Sequence, residues 1–126
     1  MSKRKILIID DQSFYLNSLE VALKKKFSVE TAANYGDAID KLEHPSEKEF
    51  DAALIDIRLD QNDEENIDGL KILEWIKMNK PQISAFVMSA YKEFSYAEQA
   101  LNLGAKHFFK KPIDILSLIA ILEEKI

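Results

Sequence analysis

Ala52-Ala53-Leu54-Ile55 runs straight into Asp56. Four apolar residues with no polar alternate suit a strand buried on both faces, as in a parallel sheet covered by helices. An acid at the carboxyl end of such a strand stands where open α/β sheets place their chemistry. The ending recurs along the chain. Ile6-Leu7-Ile8-Ile9 runs into Asp10-Asp11, Phe86-Val87-Met88 into Ser89, and His107-Phe108-Phe109 into Lys110-Lys111-Pro112. These polar residues are expected to converge around Asp56.

Between the apolar runs lie helical patterns. Lys5 to Ile9 reads as the first strand, and Ser13 as a helix N-cap. Leu16, Leu19, Ala22 and Leu23 follow at helical spacing, and Lys24-Lys25-Lys26 places positive charge at the helix's negative end. Ser28 to Ala32 alternates as an edge strand does. Asn34-Tyr35-Gly36 reads as a turn, and Asp37 to Glu43 as a second helix ended by His44-Pro45. After Asp56, an acidic stretch from Asp60 to Asp68 leads into a third helix carrying Leu70, Ile72, Leu73, Trp75 and Ile76, with Pro81 marking its end. Ile83 to Met88 is a fourth strand, and Phe94 to Leu103 a fourth helix closed by Gly104. Lys106 to Phe109 is a fifth strand, and Ile113 to Lys125 a fifth helix. Strand and helix alternate five times, which predicts a single-domain α/β fold over residues 1–126: a five-stranded parallel sheet with helices on both faces and right-handed crossovers. In the doubly wound order 2-1-3-4-5 the first and third strands are neighbours, and Asp10 and Asp11 face Asp56.

The 126 residues fit one domain with a sizeable core. Without cysteine there is no disulfide framework, thiolate metal site or cysteine nucleophile. No apolar run approaches the roughly 20 residues of a membrane span, so the expectation is a cytoplasmic protein with no membrane partner. A net charge of −5 argues against direct nucleic-acid binding, which needs a basic face.

Three clustered carboxylates repel one another unless a cation sits among them or one is protonated. An all-oxygen donor set suggests Mg²⁺ or a similar hard ion such as Mn²⁺. Carboxylate, cation, lysine and hydroxyl are together the parts that stabilise a phosphoryl group in transfer, and a carboxylate such as Asp56 can accept one as an aspartyl-phosphate. Taken singly, each feature has a plainer reading: Asp10-Asp11 as turn residues, Ser89 as a cap, Lys110-Lys111 as a solvated pair, Phe108 as core. Their coincidence at strand ends of one sheet favours the site.

Over essentially its whole length the chain resembles the receiver domain of two-component response regulators. The matching pieces are Ile8-Ile9-Asp10-Asp11, Leu54-Ile55-Asp56, Ile67-Asp68-Gly69-Leu70, Met88-Ser89-Ala90, and Gly104-Ala105 followed by Lys111-Pro112. The resemblance implies that Asp56 is the phosphoacceptor, with a sensor histidine kinase or histidine phosphotransfer protein as donor. It implies a metal site of Asp11 directly, Asp10 through water, Asp56, and the backbone carbonyl of Arg58. Ser89 and Lys111 would stabilise the phosphoryl group, Ser89 and Phe108 would act as the switch, and the bond before Pro112 would be cis. The surface of the fourth helix, fifth strand and fifth helix would change on phosphorylation to favour an output domain or a homodimer.

Two features depart from the family pattern. The loop after Asp56 is longer than usual by about four residues, with Asp60 where a proline is common. Its acids could repel a phosphodonor or shape partner choice. Arg58 and Tyr91 occupy the positions that tune phosphate lifetime in the family, and their bulk predicts a long-lived phosphoaspartate. Other classes fit less well. A pseudo-receiver that signals by binding alone is the main alternative. A haloacid-dehalogenase-type phosphohydrolase needs an acid where Arg58 stands. An EF-hand starting at Asp60 would need glycine at Glu65 and glutamate at Lys71. A flavodoxin-like cofactor binder lacks a Gly-rich phosphate loop.

Overall fold

A computed structural model describes residues 3–90 and 95–126. The elements alternate as β1 (Lys5–Ile9), α1 (Ser13–Leu23), β2 (Ser28–Ala32), α2 (Tyr35–Glu43), β3 (Ala52–Asp56), α3 (Asp68–Asn79), β4 (Ser84–Ser89), α4 (Ala97–Asn102), β5 (Phe108–Lys110) and α5 (Ile115–Lys125). The five strands form one sheet in the order β2-β1-β3-β4-β5, every pair parallel.

The strand period of two divides the core between the sheet's faces. Ile6, Ile8, Ala52, Leu54, Phe86 and Met88 point to one face, where Leu19 and Leu23 of α1 and Leu118 and Leu122 of α5 cover them. Leu7, Ile9, Ala53, Ile55, Ala85 and Val87 point to the other, under Ala38 and Leu42 of α2, Leu70, Leu73 and Ile76 of α3, and Ala100 of α4. All residues of β1, β3 and β4 are buried, as their unbroken apolar runs require. The edge strand β2 is buried only at Ala32.

Some predicted boundaries shift. Ser13 is the first helical residue of α1, so the N-cap is Gln12, and the Asp10 carboxylate receives the Gln12 N–H at 2.9 Å. Helix α2 begins at Tyr35 rather than Asp37, because the Asn34 side chain caps it by accepting the Asp37 N–H at 2.8 Å. β5 pairs from Phe108, two residues later than the apolar run suggests. The expected start of the fourth helix at Phe94 lies outside the described residues; the helix proper runs from Ala97 to Asn102. Trp75 is half-buried against the core. Among the described residues no helix is long and apolar enough to cross a membrane.

Candidate functional site

Every strand is parallel, so their carboxyl ends share one edge of the sheet. The β1–β3 register pairs Ile9 with Ile55, and one step further Asp10 comes level with Asp56. On the other side, Asp56 pairs with Met88 and Ser89 with Lys110, which brings Lys111 to the same edge. Oxygens of Asp10, Asp11 and Asp56 lie within 4.8 Å of one another. The Lys111 ammonium reaches into the cluster, 2.8 Å from Asp10 Oδ2 and 3.3 Å from Asp56 Oδ2. Asp10 is 0% exposed, Asp56 4% and Lys111 9%, so these charges act in a low-dielectric setting. Lys110, its neighbour, is exposed.

The Tyr15 ring of α1 faces the same ammonium, 4.2 Å from Nζ to the ring centre. The peptide bond Lys111–Pro112 is cis. Ser89 is buried at the end of β4; its hydroxyl donates to the Ala90 carbonyl at 2.9 Å, and its own carbonyl accepts the Lys111 N–H at 2.8 Å. Phe108 is half-buried and packs against the core on the α2–α4 face. Tyr91 lies outside the described residues.

Three carboxylates against one ammonium leave excess negative charge in a buried place. Burial drives the Asp56 carboxyl up; Lys111 pulls it back and Asp10 pushes it further, to about 8 from 3.8. Burial acts to lower Lys111, but the carboxylates of Asp56 and Asp10 outweigh it and hold the ammonium above its ordinary value.

Two further residues build the site, one within the Ile67-Asp68-Gly69-Leu70 piece and one that no local pattern marks. Gly69, at the start of α3, lies directly on the end of β3: its N–H donates to the Ile57 carbonyl at 2.8 Å, and a Cβ on it would fall 2.0 Å from the Asp56 carbonyl oxygen. Gln61, in the loop after β3, donates from its side-chain amide to Asp11 Oδ1 at 3.1 Å and to the Arg58 carbonyl at 3.3 Å. That neutral donor sits on one carboxylate oxygen of the cluster and on the Arg58 carbonyl. The carboxylate oxygens of the cluster suit Mg²⁺ chemistry, and the excess negative charge suits a divalent ion.

The family profile described as the response regulator receiver domain matches residues 6–123. The chain belongs to this family. The receiver is 33% identical over 116 residues to the response regulator protein PilR of Pseudomonas aeruginosa, covering 91% of this chain and 24% of that protein. It is 34% identical over 119 residues to the transcriptional regulatory protein ZraR of Klebsiella oxytoca, covering 94% and 25%. The chain thus spans about a quarter of the length of these curated relatives. Among solved structures it resembles a CheY-like receiver domain protein from Methanospirillum hungatei, with a TM-score of 0.86, 29% identity, and 98% and 94% of the two chains covered. It also resembles a response regulator protein from Burkholderia pseudomallei determined with a phosphorylated aspartic acid, calcium ion and citrate, with a TM-score of 0.77, 26% identity, and 95% and 66% covered.

Proposed function

We propose that residues 1–126 are one receiver domain acting as a phosphorylation switch, in which Asp56 accepts a phosphoryl group from a histidine kinase or histidine phosphotransfer protein. The observation that carries this is the cluster of buried Asp10 and Asp56 with half-buried Asp11, and Lys111 reaching two of them. The phosphorylated aspartic acid and calcium ion of the Burkholderia protein support it. Mg²⁺ or Mn²⁺ would be held by Asp10, Asp11, Asp56 and the Arg58 carbonyl, and when bound supplies positive charge for the phosphoryl oxygens.

The chain's own residues do the rest. An ionised Asp56 oxygen attacks phosphorus as the bond from phosphorus to the donor's imidazole nitrogen breaks, and the electron pair leaves on that nitrogen. Lys111 offers its ammonium to a phosphoryl oxygen, and Ser89 turns its hydroxyl from the Ala90 carbonyl to another. Phe108, already half-buried, moves further inward as Ser89 shifts, and the face of α4, β5 and α5 changes for a partner, an output domain or a second copy. The chain turns over no separate substrate; phosphotransfer and dephosphorylation are self-catalysed.

Intact-mass measurement after incubation with a small-molecule phosphodonor and Mg²⁺ tests this. A single phosphoryl adduct is expected, absent without Mg²⁺ and absent in Asp56→Asn. No adduct on folded, metal-supplied protein would sink the switch and leave a receiver that signals by binding alone. A second expectation concerns lifetime: in the family these two positions tune it, and large side chains there should hinder an attacking water, so the Arg58→Ala, Tyr91→Ala double variant should lose phosphate faster than wild type. Equal or slower loss, measured by following the adduct over time, contradicts it.

A further inference from the structure

We propose that Gln61 is a plug on the cation site: its amide holds the ligating oxygens of Asp11 and Arg58 in the metal-free protein and must leave before a divalent cation binds. This rests on reading the acid cluster as a metal site, and adds that the unusual loop controls access to it.

Residue 61 engages both Asp11 oxygens. Its side-chain amide donates to Oδ1 at 3.1 Å, and its backbone N–H donates to Oδ2 at 3.2 Å. The same side-chain amide also donates to the Arg58 carbonyl at 3.3 Å. The Arg58 guanidinium in turn donates from Nη2 to the Gln61 carbonyl at 3.0 Å, which draws the residue down over the site. The loop is fastened near both its ends. Leu59 is buried, and Asn66 Oδ1 accepts both the Leu59 N–H and the Asp68 N–H at 3.0 Å. Between these points, Asp60 turns the chain by accepting the Asn62 N–H at 3.0 Å, and the acids from Asp60 to Glu65 stay exposed. From this arch, residue 61 reaches inward to the site.

Plug and cation compete for one place. A single atom, Gln61 Nε2, bridges Asp11 Oδ1 and the Arg58 carbonyl at 3.1 and 3.3 Å, and a cation drawn to both oxygens would need the space that this amide fills. Whatever fraction of molecules has the plug seated lowers the apparent cation affinity by that fraction. The loop is therefore coupled to metal binding: a bound cation releases Gln61, and a partner that lifts the arch favours the cation.

The test is a titration of the full chain with Mg²⁺, followed by calorimetry and by the side-chain amide resonance of Gln61 in ¹⁵N-labelled protein. Gln61 is exposed, so substitutions there leave the fold intact. On saturation the Gln61 resonance should move toward that of a solvated amide. Gln61→Ala keeps the backbone N–H but removes both side-chain donations, and should bind Mg²⁺ about five- to tenfold more tightly, the scale of one net hydrogen bond. Gln61→Glu replaces the donor with a further oxygen and should bind more tightly still. A stationary Gln61 resonance, or a Gln61→Ala affinity equal to or weaker than wild type, overturns the plug while leaving the cation site standing. Failure of every form to bind Mg²⁺ overturns the cation site and the plug together.

Discussion

Metal-free Asp56→Asn protein is expected to be more stable than wild type at pH 8 by about 2 kcal/mol, the scale of the desolvation penalty of one buried polar group. At pH 4 the two should be nearly equal. The cause is the burial that pushes Asp56 up to about 8 from 3.8. Between those values the folded protein keeps a proton that the unfolded chain releases, so stability falls as pH rises through the window. The stabilising contribution of protonated Asp56 is complete below pH 3.8 and lost as pH passes about 8. Asparagine cannot ionise, so the gap between variant and wild type widens with pH. Its amide still needs partners, which holds the gain well below the full value of the shift. The Lys111–Asp10 pair at 2.8 Å survives the change, so no charge is newly orphaned. Urea unfolding of both proteins at pH 4, 6 and 8 in the presence of a chelator reads the gap; a constant or shrinking difference contradicts the cause. Excess Mg²⁺ should then favour wild type, because a cation stabilises the ionised carboxylate and binds only the folded site.

This is a site whose function opposes the fold's stability. Burial that raises Asp56 also keeps water from it, and in the proposed switch the residue could act as a nucleophile only once positive charge arrives to ionise it. Lys111 alone is insufficient, since it is shared with Asp10. The plug at Gln61 belongs to the same balance. Without a cation, Asp11 is held by hydrogen-bond donors rather than left facing two other carboxylates.

Most of the fold, and the acids, serine and lysine gathered at the sheet edge, could be read from the chain. β1 and β3 appear where their apolar runs place them, because two-sided burial leaves a signal in every residue of the run, and β2 appears where its edge-strand alternation places it. The start of α2 was obscured because Asn34-Tyr35-Gly36 has the composition of a turn, and the same asparagine serves as a helix cap. β5 was misplaced because strand pairing depends on the register with β4, which local sequence does not carry. The acids and the lysine stand at strand ends, so the topology alone gathers them. Gln61 and Tyr15 were invisible for the opposite reason. Gln61 meets Asp11 from 50 positions away, through a loop whose path no periodicity encodes. Tyr15 meets Lys111 from across the sheet's edge.

Gly69→Ala is expected to be the most damaging single-methyl addition in the chain. Its new Cβ would lie 2.0 Å from the Asp56 carbonyl oxygen, 2.6 Å from Ile57 Cα and 2.8 Å from the Asp56 carbonyl carbon. All three are backbone atoms of the segment that carries Asp56, so no side chain can swing away. Helix α3 must lift, breaking the hydrogen bond from Gly69 N–H to the Ile57 carbonyl, or the end of β3 must move. Overpacking against backbone should cost about 3 kcal/mol. A shift of Asp56 by about 1 Å should slow phosphorylation by about a hundredfold even where the protein stays folded. Gly36→Ala supplies the contrast. Gly36 lies within α2, and its added Cβ would meet only the Asn34 side chain at 3.6 Å, an ordinary contact. There alanine should stabilise by about 0.5–1 kcal/mol through helix propensity. Unfolding midpoints and adduct formation for the two variants separate a close backbone approach at Asp56 from a general intolerance of glycine replacement; equal effects would refute the assignment of Gly69 to positioning Asp56.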